Sequence, residues 1–116
     1  MSLRPGEGVF FSNPLTEPIL LHLTGEILQG DLSNSIPAEV CVRSSMVPQG
    51  GLIQGTLGYI PASFDSISIL LDGGLESYYF FGGEWSPFEP AQAVGEAAFI
   101  DSWNAKFWRR RYFVWP

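Results

Sequence analysis

The sequence contains very few of the side chains on which catalysis and metal binding usually depend. His22 is the only histidine and Cys41 is the only cysteine. A Ser-His-Asp set would have to be built on His22. Because Cys41 has no second cysteine to pair with, a disulfide within the chain and a cysteine-rich zinc site are both excluded. The glycine-rich residues 50–58 lack the order and the terminal lysine of a phosphate-binding loop. We therefore expect a protein that is not an enzyme and that carries no cofactor or metal.

Long apolar runs and targeting signals are also missing. No stretch approaches the ~18 apolar residues that a membrane helix requires. Residues 1–7 contain one arginine and none of the apolar core that a secretory signal needs. A lone thiol is typical of a reducing compartment. These features predict a soluble, intracellular protein that has no membrane partner.

Basic residues are scarce, and most of them lie at one end of the chain. Residues 1–101 contain two basic and twelve acidic side chains, whereas residues 102–116 contain four basic and no acidic ones, for a net charge of −6. A generic nucleic-acid-binding protein is basic overall, so this balance disfavours a nucleic-acid partner. The basic end could instead meet the acidic part of the same molecule or of another copy.

Glycine and proline, by contrast, are plentiful, with 13 and 9 residues. They divide the sequence into short apolar segments, which is typical of an all-β protein. We predict one domain over residues 1–116, with residues 1–3 as a candidate cloning remnant. The expected architecture is a sandwich or partly open barrel of about seven mostly antiparallel strands. Its clearest unit is a hairpin of residues 66–71 and 75–81, closed at Asp72-Gly73-Gly74, where glycine can adopt positive φ angles.

The remaining strands are predicted from alternating apolar residues and from β-propensity. They comprise residues 19–28, 38–44, 52–60 and 106–115, and residues 10–11 could add a short one. Residues 30–37 have a turn-rich composition and are expected to connect the first two of these strands. Residues 90–101 could contain one short helix that begins at Pro90, although Gly95 weakens its continuation.

Aromatic side chains are concentrated in the last 39 residues, which hold 13 of the 17 rings and all four tryptophans. In the second strand of the hairpin, Leu75, Tyr79 and Phe81 share one face, and Tyr78 and Phe80 share the other. Both faces are therefore apolar. Because an antiparallel sheet usually leaves one face to water, the outer side of this strand must be covered by another part of the chain, by a ligand or by another subunit.

The terminal strand combines rings with arginines. An unpaired buried charge costs several kcal/mol, so this strand cannot be buried on both faces, and an edge position is expected. Rings beside the guanidinium groups can stack on them for ~0.5–2 kcal/mol each. By alternation, one face carries Phe107, Arg109, Arg111, Phe113 and Trp115, and the other carries Trp108, Arg110, Tyr112 and Val114.

These two strands lead to the functional hypothesis of a non-catalytic interaction or assembly module. Tryptophan, tyrosine and arginine are the residues that interface cores favour. We expect a homo-oligomer, with another protein as an alternative partner. The predicted interface consists of Tyr78, Tyr79, Phe80, Phe81, Trp108, Arg109, Arg111, Tyr112, Phe113 and Trp115.

Two alternative functions use the same part of the chain. Trp85, Trp103 and Trp108 could line a site for a carbohydrate or another small, flat ligand. Arg109 and Arg111 could bind a single-stranded nucleic acid, with neighbouring rings stacking on its bases. The acidic remainder of the chain weighs against this second alternative.

Overall fold

The computed structural model describes residues 2–22, 27–72 and 74–114 of the chain. Within these ranges the regular secondary structure consists of β-strands, which confirms the predicted all-β class. No helix capable of spanning a membrane is found in the same ranges. Nine strands are assigned in the described chain: β1 (Gly30–Ile36), β2 (Val40–Arg43), β3 (Gly51–Leu52), β4 (Ser66–Leu71), β5 (Gly74–Phe81), β6 (Glu84–Ser86), β7 (Ala91–Gln92), β8 (Ala98–Asp101) and β9 (Lys106–Tyr112).

The strands form one five-stranded sheet and two ribbons of two strands each. The five-stranded sheet has the order β2-β8-β4-β5-β6, while β1 pairs with β9 and β3 pairs with β7. All of these pairings are antiparallel. Because β8 lies between β2 and β4, the last third of the chain is needed to complete the centre of the sheet.

The five-stranded sheet and the β1–β9 ribbon contribute side chains to the same core. Ile36 and Trp108 point inward from the ribbon, Ile67 and Ile100 point inward from the sheet, and all four belong to one buried cluster. The molecule measures 45 × 41 × 22 Å, and its shortest dimension suits two β-layers stacked ~10 Å apart. The outer faces of the sheet and of the ribbon therefore point away from this shared core.

Trp108 anchors the ribbon in this core. Its side chain is only 2% exposed, and its indole Nε1 donates a hydrogen bond to the backbone oxygen of Leu57 at 2.7 Å. The ring also packs edge-on against Tyr59, with centroids 5.6 Å apart. A buried tryptophan usually needs a partner for its N–H, and the turn before Tyr59 supplies that partner here.

The predicted hairpin is confirmed, and the predicted terminal strand is present as β9 but ends at Tyr112, so Phe113 and Val114 lie beyond it. The structure pairs Ser66–Leu71 with Gly74–Phe81, and it places β9 in a two-stranded ribbon, where it has β1 as its only partner within the described chain. Trp115 lies outside the described residues. The remaining predicted strand over residues 38–44 contains β2.

The prediction for residues 19–37 is wrong. Residues 19–22 and 27–28 are not in a strand, residues 23–26 lie outside the described ranges, and the strand is instead β1, in the stretch expected to be a turn. Within β1, Leu32, Asn34 and Ile36 are buried and alternate with exposed residues. The period of two is present, but serine, asparagine and glycine conceal it, and tertiary pairing with β9 outweighs the low β-propensity of these residues.

The predicted strand over residues 52–60 is also wrong beyond its first residue. After β3 the chain turns back on itself, and the amide nitrogens of Thr56 and Leu57 both donate to the oxygen of Leu52, at 3.0 and 2.9 Å. Gly58 has a φ of 78°, in the left-handed region that favours glycine. The glycines in this stretch therefore mark a turn and not an interruption within a strand.

Residues 90–101 contain no helix, contrary to expectation. They form β7, a turn in which Gly95 has a φ of 77°, and β8. The alternating burial of Ala98 and Ile100 shows why this segment is a strand: its apolar residues repeat every second position and fill the core beside β4. Residues 10–11 form no strand, but the Phe10 ring stacks on Phe99 with centroids 4.4 Å apart.

Replacing Trp108 by phenylalanine tests the anchor in the ribbon. The change leaves the buried Leu57 oxygen without its donor and shrinks the ring, so we expect the free energy of unfolding in urea to fall by about 2–4 kcal/mol. Trp103→Phe is the control, because Trp103 is 68% exposed and its replacement should change stability by less than ~0.5 kcal/mol. Equal losses in the two variants would contradict the anchoring role of Trp108.

Candidate functional site

A buried carboxylate connects three separate segments of the chain. The Asp65 side chain, which immediately precedes β4, is fully buried. Its Oδ2 accepts hydrogen bonds from the Tyr59 hydroxyl at 2.8 Å and from the Ala62 amide at 3.0 Å, and its Oδ1 accepts from the Trp103 amide at 2.7 Å. The ammonium group of Lys106 forms an ion pair with Oδ2. We call these four groups around Asp65 the Asp65 cluster.

The Asp65 cluster favours an ionised carboxylate. Burial by itself raises the pKa of Asp65, but the hydrogen bonds from Lys106, from the Ala62 and Trp103 amides and from Tyr59 together outweigh burial, so the pKa lies below its ordinary value of 3.8. Burial is also the largest cause that raises the pKa of Tyr59 far above 10, and its hydrogen bond to Asp65 adds to the effect. At neutral pH the pair is therefore a carboxylate and a neutral phenol, which suits a structural role.

Phe64, which directly precedes Asp65, has a strained backbone. Phe64 has a φ of 77°, a left-handed conformation that costs a non-glycine residue ~1–2 kcal/mol. Two backbone hydrogen bonds to β5 hold this conformation. The Phe64 amide donates to the backbone oxygen of Phe80 at 2.8 Å, and the Phe80 amide donates to the backbone oxygen of Asp65 at 2.9 Å. A strained residue that persists because its surroundings fix it is a pointer to function.

The strained backbone places the Phe64 ring at the surface among other rings. The side chain is 61% exposed, and its ring lies 5.2 Å from that of Phe81 and 5.3 Å from that of Trp103. Tyr79, two residues before Phe81 on β5, points to the same side and is also exposed. These four residues, on the outer face of the five-stranded sheet, are called the aromatic face.

The charged residues at strand positions around the aromatic face are acidic. Glu84 pairs with Phe81 across β5 and β6, and Asp101 pairs with Ser66 across β8 and β4. Side chains of directly paired residues point to the same side of a sheet. Glu84 and Asp101 therefore flank the rings, and both are exposed.

The outer face of the ribbon carries the opposite charge. Phe107, Arg109, Arg111 and Phe113 alternate along this side of the terminal strand, and all four are exposed. The Arg109 guanidinium carbon lies 5.4 Å from the centre of the Phe107 ring, and that of Arg111 lies 5.5 Å from the Phe113 ring. Arg111 Nε is also 3.9 Å from Asp31 Oδ1, an exposed pair of a kind worth ~0–1 kcal/mol. We call these four residues the basic strip.

The structure separates the predicted interface residues into two groups. Exposed on outer faces are Tyr79, Phe81, Arg109, Arg111 and Phe113. The others in the described chain are partly or fully buried and point inward: Tyr78 contacts Phe88, Phe80 contacts Trp85, Tyr112 is half-buried, and Trp108 is in the core. Of this inward group only Trp108 is fully covered by its own chain, and Trp115 lies outside the described residues.

The three tryptophans of the proposed ligand site have different surroundings. Trp85 is half-buried and donates its indole Nε1 to Gln54 Oε1 at 2.9 Å. Trp108 is enclosed in the core, and Trp103 is exposed beside Phe64. Since Trp108 is already covered by its own chain, these residues do not form a common ligand-binding surface.

The single cysteine and the single histidine have different surroundings. Cys41 points toward the core from β2, and burial is the largest of the effects that raise the pKa of its thiol, so the reactive thiolate is disfavoured. His22 is exposed and lies outside the strands. Among the described residues, no group of three or more potential metal ligands comes together.

Sequence reasoning missed Phe64 and Asp65. Neither residue belongs to a motif, and their importance arises from partners distant in the chain: Trp103 is 38 positions and Lys106 is 41 positions from Asp65. The only local signal is an aspartate next to an aromatic residue before a predicted strand, which is too common to be informative. The predicted interface also omits Phe107 and Trp103, although the sequence places Phe107 on the same face as Arg109 and assigns Trp103 to the alternative ligand site.

Comparison of this chain with protein-family models, with curated proteins and with solved structures finds no match. The assignment of a function therefore depends on the geometry and chemistry of the aromatic face and the basic strip.

Replacing Lys106 by methionine tests the Asp65 cluster. The variant leaves a buried carboxylate without its cation, and removing one partner of a buried ion pair costs about 3–5 kcal/mol, measured by urea unfolding at pH 7. The matched control is Arg111→Met, which breaks the exposed pair with Asp31 and should cost no more than ~1 kcal/mol. A loss for Lys106→Met as small as that of the control would show that the Asp65 cluster does not stabilise the fold.

The pKa of Asp65 also predicts how stability depends on pH. Because this pKa is lower in the folded state than its ordinary value of 3.8, the stabilisation is fully present above that value and is lost as the pH falls below it. We expect the free energy of unfolding to drop on acidification below that value, with a smaller drop in Asp65→Asn, even though this variant is less stable at pH 7. Parallel pH profiles for the two proteins would contradict the prediction.

Proposed function

We propose that this protein is a non-catalytic assembly module that self-associates through the outer faces of its two β-layers. The observation that carries the proposal is the Phe64 ring, held exposed between Phe81 and Trp103 by a strained backbone and a buried ion pair. A domain that needed only to fold could avoid the strain with glycine at this position. The strain is explained if the ring is required at the surface.

The accessible area supports an associating subunit. The chain exposes 8091 Å², whereas a folded monomer of this mass is expected to expose ~6,300 Å². The excess is about 1,800 Å², and residues 2–22, nearly all of which are exposed, contribute part of it. A standard protein–protein contact buries ~800 Å² on each partner, which the exposed area accommodates.

The chemistry of both surfaces suits protein association. Aromatic residues and arginine are enriched where interfaces are fully buried, and tryptophan, tyrosine and arginine dominate their energetics. Within the aromatic face, the Phe64 ring already contacts those of Phe81 and Trp103, and the Trp103 backbone is hydrogen-bonded to Asp65. Such pre-ordered side chains lose little conformational entropy on binding, which favours affinity.

Charge and geometry put self-association ahead of the two alternatives. The basic strip has the arginines and rings of a single-strand platform, but the net charge of −6 opposes the approach of phosphates. A carbohydrate site built on Trp85, Trp103 and Trp108 lacks a common surface because Trp108 is in the core. Self-association, by contrast, needs only the side chains of the aromatic face and the basic strip, which are exposed.

Sedimentation velocity tests the proposal. We expect the mean mass of the protein to increase with concentration up to ~100 μM, and Phe81→Ser to weaken this increase because it removes a ring from the aromatic face. Phe88→Ser is the matched control: Phe88 is 63% exposed, similar to Phe81 at 65%, but contacts Tyr78 on the opposite side of β5. A protein that remains monomeric at ~100 μM and low salt would contradict the proposed function.

A further inference from the structure

We infer that the subunits associate head to tail, with the basic strip of one copy seated on the aromatic face of the next. This inference rests on the proposed self-association and specifies its geometry and its partner, a second copy of the chain. It predicts an open or ring-shaped assembly and excludes a simple two-fold dimer.

The positions of the two surfaces are the first argument. The aromatic face belongs to the five-stranded sheet and the basic strip belongs to the β1–β9 ribbon, and the inner sides of both layers share one core. The two surfaces therefore lie on separate β-layers, and each faces away from the shared core of a molecule whose shortest dimension is 22 Å. A single contact cannot use both surfaces of the same copy, whereas a stack of copies uses both in every subunit.

Charge complementarity is the second argument. Glu84 and Asp101 flank the aromatic face, and Arg109 and Arg111 lie on the basic strip. In a two-fold dimer each surface would meet itself, which would bring like charges together. A contact between the basic strip of one copy and the aromatic face of the next would pair arginines with carboxylates and rings with rings. Such complementarity speeds the association of the two copies and fixes their alignment.

Arg109 is the residue best placed to make the new ion pair. Arg111 already lies 3.9 Å from Asp31 Oδ1, whereas Arg109 has no carboxylate within 4.0 Å in the part of the chain that the structure describes. Its guanidinium group is held against the Phe107 ring. Stacking limits the rotamers of a long side chain, so that less freedom is lost when the charge is paired.

The accessible area is consistent with two contacts per subunit. Each contact of standard size buries ~800 Å² on each side, so a subunit in the middle of a stack would bury ~1,600 Å². The 8091 Å² that the chain exposes accommodates both contacts. A two-fold dimer would use only one surface and leave the other exposed.

Mixing two variants tests the inference. The strip variant, Arg109→Glu with Arg111→Glu, keeps the aromatic face, and the face variant, Tyr79→Ser with Phe81→Ser, keeps the basic strip. We expect each variant alone to self-associate at least ~10-fold more weakly than the wild-type chain. Their equimolar mixture should form a dimer of one copy of each, because only one pair of intact surfaces is available.

The possible results distinguish the geometry from the function. If the wild-type chain associates but one variant alone still dimerises, or the mixture remains monomeric, the head-to-tail geometry is overturned while self-association stands. A monomeric wild-type chain overturns both. Circular dichroism and urea unfolding establish that each variant is folded, and Arg109→Ser with Arg111→Ser replaces the strip variant if the glutamates prevent folding.

A second arm of the experiment tests whether the basic strip binds single-stranded nucleic acid instead of a second copy of the chain. The wild-type chain is titrated with a fluorescent oligothymidylate at several salt concentrations. The inference predicts no binding that competes with self-association. Salt-sensitive binding that the strip variant loses, together with unchanged self-association of that variant, would assign the basic strip to nucleic acid and overturn the inference.

Discussion

The buried ion pair between Asp65 and Lys106 is the interaction on which the candidate surface depends. The carboxylate joins the turn after Tyr59, the loop after β8 and the first residue of β9. An ionised carboxylate in this position would be costly without the groups that surround it. The same hydrogen bonds fix the backbone next to Phe64 and at Trp103, so a polar cluster in the interior determines where two rings lie at the surface.

The resulting surface has a cost in the isolated chain that association would offset. The left-handed backbone of Phe64 costs ~1–2 kcal/mol, and exposed rings forgo ~25 cal/mol for each Å² of apolar area left in water. Contact with a second copy would remove this apolar area from water and so recover that free energy. If the aromatic face of one copy met the basic strip of the next, the charge of Arg109 would also be neutralised. The sheet and the ribbon share one core and direct their outer faces away from it, so one fold can present both surfaces at once.

The sequence predicted those parts of the fold that depend on local patterns. The hairpin of β4 and β5 combines apolar residues with a glycine turn, and the alternation along the terminal strand correctly separates Arg109 from Trp108. Long-range pairing determines the rest. β1 becomes a strand because β9 is beside it, although its serines and asparagine resemble a turn. Phe64 gains its role from partners that only the folded chain brings close, and no local signal could identify them.

Hydrogen–deuterium exchange at low and high protein concentration tests the central claim most directly. If copies stack through unlike surfaces, amides near the aromatic face, in residues 62–65 and 101–104, should exchange more slowly as the concentration rises, together with those of residues 107–113. Protection of both regions with the same concentration dependence would support the account. Unchanged exchange throughout, or protection of only one of the two surfaces, would contradict it.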